Sequence, residues 1–303
     1  MDVLDNLNSP TDNYGKRTVN EVLEQGYQFD FGLMFNQAFG MLKLYWGPML
    51  GLLVLLGVAS SIIVFACVGS TYVQFIQDAM QDPESIAQNM VGFIFSIIGK
   101  ALLALVLVWI FLSPMQQGYL LMFRDGETMG APGPFGSIFD AYKNGRWLKI
   151  LAIVFLMYII VHIWQYLPYL FFWNDLQAMM DFESMIENPQ AFNPASTVTM
   201  SLLSYLMYIP MFFFFVLYSL AIPIMFFQNL GVWQSMEASR KIVMKRFWNF
   251  AGYYFVIGLI AFLGILACCV GILVTYPLLM YAGFVIYRDI FVNQATESNS
   301  SSL

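Results

Sequence analysis

The chain has 303 residues, of which 59% are hydrophobic and 11% charged, with a mean hydropathy of +0.68 and a formal net charge of −6. Soluble domains run near 45–50% apolar and about 25% charged, so this composition excludes an ordinary water-soluble enzyme or binding module and points to a bilayer. The apolar runs reach the ~20 residues a helix needs to cross hydrocarbon and lack the roughly ten-residue alternation of an outer-membrane barrel, so α-helical spans are predicted.

In chain order, residues 1–28 are polar, contain Lys16 and Arg17 and have no apolar core. They are read as a disordered N-terminus rather than a cleaved signal peptide. A membrane domain over 29–289 follows. Its six predicted spans are 47–69, 101–123, 148–172, 202–227, 250–267 and 270–287. Residues 91–99 are too short to cross alone and are expected to extend the second helix. The last two spans are joined by "CCVG" and form a tight hairpin, and 290–303 are read as a disordered tail.

Twelve of the thirteen Lys and Arg residues fall in the two terminal segments and in the connections around 124–149 and 228–249, Lys100 being the exception. The connections 70–99 and 173–201 contain no base and carry Asp78, Asp82, Glu84, Asp175, Asp181, Glu183 and Glu187. Because bases near span ends stay on the cytoplasmic side, both termini are expected in the cytoplasm and the acidic loops outside. The stretch "EASRKIVMKRFWNF" over 237–250 is the densest basic cluster. Its apolar residues fall mostly at helical spacing, with Arg240, Lys241, Lys245 and Arg246 over the rest. Orientation and anchoring account for most of this pattern, and these four bases are the candidate lipid-headgroup contacts.

That stretch is one of three. Trp46, Trp147 and Trp248 each precede or open an odd-numbered span, each 101 residues after the last. "CVG" recurs at Cys67 and Cys269, "FGLMFNQAF" at Phe31 resembles "FGSIFDAY" at Phe135, and "PMQQGYLLMFRD" at Pro114 resembles "PLLMYAGFVIYRD" at Pro277. The expected architecture is therefore an all-α integral membrane protein with six transmembrane helices in three parallel pseudo-repeats, about 29–126, 127–231 and 232–289. Each repeat is an amphipathic helix plus a helical hairpin. The Trp rings are read as interface anchors, and Gly47, Gly51, Gly57, Gly252, Gly258 and Gly264 as points of close helix approach. The seam between hairpins is expected to be lined by Met207, Phe212 to Phe215, Tyr158 and Trp164, side chains suited to an amphiphile and poor for hydrated ions.

Chemistry is mostly excluded. His162 is the only histidine, so no multi-histidine metal site or HExxH motif exists, and the three cysteines, Cys67, Cys268 and Cys269, form no CxxC. There is no nucleophile elbow, no P-loop and no carboxylate inside a predicted span. His162, with Tyr158, Gln165, Tyr166 and Tyr169 on neighbouring helical positions, is read first as structural and second as an intramembrane polar site with Gln165 and Lys100. Lys100 itself is expected to snorkel outward or pair with a loop acid. No catalytic or metal residue, cofactor or nucleic-acid partner is expected.

The segments "FGSIFDAYKNGRW", "EASRKIVMKRFWNF" and "GILVTYPLLMYAGFVIYRD" resemble uncharacterised bacterial six-span membrane proteins. Those are similar to the membrane domain attached to some glycerophosphodiester phosphodiesterases. The resemblance covers about 29–289 and implies a plasma-membrane location and an envelope or lipid role. The hydrolase barrel of about 250 residues has no counterpart here. The expectation is a multi-pass inner-membrane protein, non-enzymatic, acting as a scaffold or handling lipids and other amphiphiles, with lipids and other membrane proteins as partners. The alternative is a small-molecule transporter or permease-like protein.

Overall fold

The computed structural model describes residues 14–81, 85–174, 194–266 and 270–294. These are helical and contain no strand. In order the helices are α1 (Val19–Gln25), α2 (Phe31–Gln81), α3 (Ser85–Gln117), α4 (Tyr119–Met129), a 3₁₀ stretch (Phe135–Gly145), α5 (Arg146–Phe171), α6 (Pro194–Leu206), α7 (Tyr208–Leu217), α8 (Ala221–Phe227), α9 (Val232–Met244), α10 (Phe247–Leu266) and α11 (Val270–Arg288), with a wider turn at Asp289–Asn293. Among the described residues, five helical stretches are long and apolar enough to cross a membrane: Phe31–Gln81, Gly92–Met129, Phe135–Phe171, Val198–Phe227 and Phe247–Leu266. This is an all-helical, multi-pass membrane protein. The stretch predicted as the sixth span, α11, is a helix of 19 residues outside those five.

Helix boundaries differ from expectation in ways that side chains explain. The first amphipathic segment and first span are one 51-residue helix, α2. At 1.5 Å per residue it is about 77 Å long, far more than hydrocarbon requires. Residues 91–99 do extend the second helix, since α3 starts at Ser85. The predicted span 202–227 is instead interrupted at Met207 and again between Leu217 and Ala221. Pro210 and Pro223 lie just after the two breaks, where each ring would collide with the carbonyl four residues earlier, at Leu206 and Ser219. The loop acids Asp82, Glu84, Asp175, Asp181, Glu183 and Glu187, together with Cys268 and Cys269, lie outside the described residues.

The residues form two compact units. One comprises the described parts of Asp30–Leu151 and Val256–Asp289. Its centre is Phe123, fully buried, with the rings of Tyr45, Tyr281 and Phe284 around it at 4.8–5.3 Å. Gly118, between α3 and α4, touches the backbone of Ile138 so closely that a Cβ would collide with its carbonyl. Gly264 likewise meets the Thr275 hydroxyl, which brings α10 and α11 together. A Cβ at Gly47, Gly57 or Gly258 would meet nothing within 4 Å among the described residues, nor would one at Gly252 in the other unit, so these four are not the close approaches expected of them. Arg288 pairs with Glu127 and donates to Gln37 Oε1 at 2.7 Å, while Arg124 pairs with its neighbour Asp125 at 2.8 Å.

The other unit comprises the described parts of Met1–Phe29, Ala152–Phe255 and Ile290–Leu303. Leu220, Ile224, Ile242, Val243, Phe250 and Tyr253 are its buried core. Residues 14–28, expected to be disordered, are folded onto it. Thr18 and Glu21 form a capping box at the start of α1, Glu21 Oε2 accepting from the Thr18 N–H at 2.6 Å and Thr18 Oγ1 from the Glu21 N–H at 3.3 Å. Gly26 ends the helix at φ 77°, a conformation that favours glycine. Phe29 then packs on Phe250 and Tyr253, ring centroids 4.8 and 6.1 Å away.

Candidate functional site

In the second unit a groove of about 1380 Å³ lies where α9 meets α10. It is built from three parts of the chain. At the joint, Lys245 N–H and Arg246 N–H each donate to a carbonyl three residues back, Ile242 and Val243. This tightened turn ends α9 and leaves both bases exposed, where cations also suit the helix dipole. Trp248, 82% exposed, follows on the first turn of α10, and the Phe247 ring packs, tilted, at 4.9 Å against Phe213 of α7.

The opposite wall is the N-terminal segment. Tyr27 is buried and donates its hydroxyl to the Ile242 carbonyl at 2.7 Å; burial pushes that phenol well above its ordinary range, so it stays protonated. Arg17 is also buried and donates to the carbonyls of Gly26 at 2.7 Å and Ile290 at 3.4 Å. Desolvation lowers its pKa, and the nearby Glu21 carboxylate partly offsets the shift. The third part is the C-terminal turn. Lys16 and Arg17 N–H groups both donate to the Phe291 carbonyl; the Gln28 main-chain N–H donates to Gln294 Oε1 at 3.0 Å, and Gln294 Nε2 donates to the Gln28 carbonyl at 2.8 Å.

Among the described residues, the charged ones lining the groove are Arg17, Lys245 and Arg246, with no acid. Compared with protein-family models, curated proteins and solved structures, the chain matches none. The geometry of its own residues therefore carries the functional reading.

The four bases singled out from the sequence divide into two pairs. Arg240 makes a two-pronged bond with Glu237 at 2.7 and 2.8 Å, and Lys241 lies 3.5 Å from the same carboxylate. The Arg240 hydrogen bond, more than any other contact, holds the Glu237 carboxyl below its usual range. Lys245 and Arg246 instead face neutral groups: Lys245 donates to the Leu23 carbonyl, and the Arg246 guanidinium sits 5.9 Å from the Tyr27 ring centre. Only this second pair lines the groove.

His162 and Gln165 are brought together on α5, Nδ1 to Oε1 at 3.4 Å, with the Tyr158 ring 4.5 Å away and the Tyr158 and Tyr166 hydroxyls 3.4 Å apart. Lys100 belongs to the other unit, where its ammonium donates to the Thr71 hydroxyl rather than to a loop acid among the described residues. Among the described residues no group of three or more His, Cys, Asp or Glu could hold a metal ion. Of the rings expected to line a seam, Trp164 and Phe214 stack at 5.4 Å and Phe215 meets Tyr254 at 5.5 Å, so they are partly occupied by one another.

The groove residues missed from the sequence are Arg17, Gln25, Gly26, Tyr27, Gln28 and Gln294. One signal was present, the "TVNE" capping box at Thr18–Glu21, which marks a helix start in a stretch read as disordered.

Proposed function

We propose that the protein is a non-enzymatic, six-span protein of the bacterial inner membrane, both termini cytoplasmic, that serves as a scaffold or handles lipids and other amphiphiles of the cell envelope. Lipids and other membrane proteins are its partners. The spans form three parallel pseudo-repeats, and α11 is the sixth: 19 residues give about 28 Å of helix, close to hydrocarbon thickness. The resemblance to the membrane domain of some glycerophosphodiester phosphodiesterases belongs to the same reading.

The observation that carries it is the basic groove at the head of α10, edged by Trp248 and Phe247. A cationic pocket beside interfacial aromatics suits a molecule with one charged and one greasy end. The six spans predicted from the sequence contain no carboxylate, and such an apolar helix set suits a hydrated ion poorly. Purified protein in detergent is therefore expected to melt higher when amphiphile is added back, and proteoliposomes to show no saturable flux of hydrophilic solutes. Saturable flux would make the protein a transporter instead.

A further inference from the structure

Resting on the amphiphile reading, we infer that the groove holds the phosphate of an anionic phospholipid headgroup, with Lys245 and Arg246 as its cationic contacts and Arg240 and Lys241 as bystanders. The four bases lie within seven residues, yet their charges are in different states. Glu237 engages both bases of the first pair through contacts at 2.7 to 3.5 Å and cancels one of their two charges. Among the described residues the second pair touches an uncharged carbonyl and an aromatic face, and it stays exposed, so it keeps its positive field. Arg17 supplies a third charge, but its donors are committed to backbone oxygens and to Gln25 Oε1. Arg17 is a positioning residue that fixes the segment bearing Tyr27.

Charge complementarity selects the headgroup. A groove that, among the described residues, has three bases, no acid and the amides of Gln28, Asn249 and Gln294 matches a phosphate's charge and its acceptor oxygens. The surroundings select a lipid as the phosphate's source. Trp248, Gly252 and Phe255 share one face of α10 by their spacing, and all three are exposed. A Cβ at Gly252 would meet nothing within 4 Å, so a notch lies between the two aromatic side chains, and an acyl chain can run down this stripe from the headgroup.

The experiment uses the full chain, delipidated and titrated with dioleoyl phosphatidylglycerol or dioleoyl phosphatidylcholine, with bound lipid counted by native mass spectrometry. The variants K245Q/R246Q and R240Q/K241Q remove the same charge. The inference predicts that wild type prefers phosphatidylglycerol, that K245Q/R246Q loses about thirtyfold of that preference, and that R240Q/K241Q stays within about twofold. An R246K variant, which keeps the charge, should retain most of it. Equal loss in both double variants, or an unaffected K245Q/R246Q, would overturn the inference. So would preferential binding of free glycerol 3-phosphate, which makes the site one for soluble phosphates. If wild type retains lipid without regard to charge, the inference fails and the amphiphile reading stands; if it retains neither lipid, that reading fails.

Discussion

The charge on a side chain matters less here than what already touches it. The quoted cluster reads as four equivalent bases, because local sequence shows charge but not partner. Glu237 was within the same stretch, and its spacing to Arg240 and Lys241, three and four residues, is that of helical ion pairs. The division of the cluster was therefore legible in part. Tyr27 was not, because its partner Ile242 lies 215 residues away. Its hydroxyl closes a buried backbone acceptor, so Tyr27→Phe is expected to cost about 1 kcal/mol or more. The pH dependence has a definite sign. A phenol whose pKa is raised on folding contributes stability fully present below its ordinary value of 10.0 and lost as pH rises beyond it. Melts of wild type and Tyr27→Phe in detergent should converge above pH 10.0. A gap of constant size across alkaline pH would show that the hydroxyl is not buried in this way.

At the scale of elements, the helices and five of the membrane-crossing stretches were legible because apolar length dominates the signal. The interruptions between α6, α7 and α8 were less so, although Pro210 and Pro223 marked them. What the sequence hides is how a break is satisfied. Ser239 of α9, fully buried, donates to the Leu217 carbonyl at 2.7 Å and accepts from the Leu220 N–H at 3.2 Å, thereby serving both sides of the second interruption. Removing that hydroxyl leaves buried backbone groups unpaired, so Ser239→Ala should lower stability by about 1–3 kcal/mol. A thermal or denaturant melt reads this directly, and a change under about 0.5 kcal/mol would mean that the α7–α8 joint is satisfied elsewhere. The N-terminal segment escaped the sequence reading for a related reason. Polar composition suggests disorder only while no partner is visible, and its anchors at Ile290 and Phe291 lie at the far end of the chain.

For the whole molecule, topology and ligand are the two claims that matter. The distribution of bases predicts that single cysteines near Glu84 and Glu183 label from outside intact cells, while those near Gly130 and Lys245 are protected. Labelling of Gly130 from outside would reverse the orientation and put the groove at the wrong face. With that orientation the groove opens at the cytoplasmic surface, where anionic lipid attracts bases. Native mass spectrometry of the protein released directly from its own membrane tests the central claim most closely. The account predicts a population carrying co-purified phospholipid, and a melting temperature that falls when the lipid is stripped and recovers when it is returned. A lipid-free spectrum, with a melting temperature unchanged across added lipids, would contradict it.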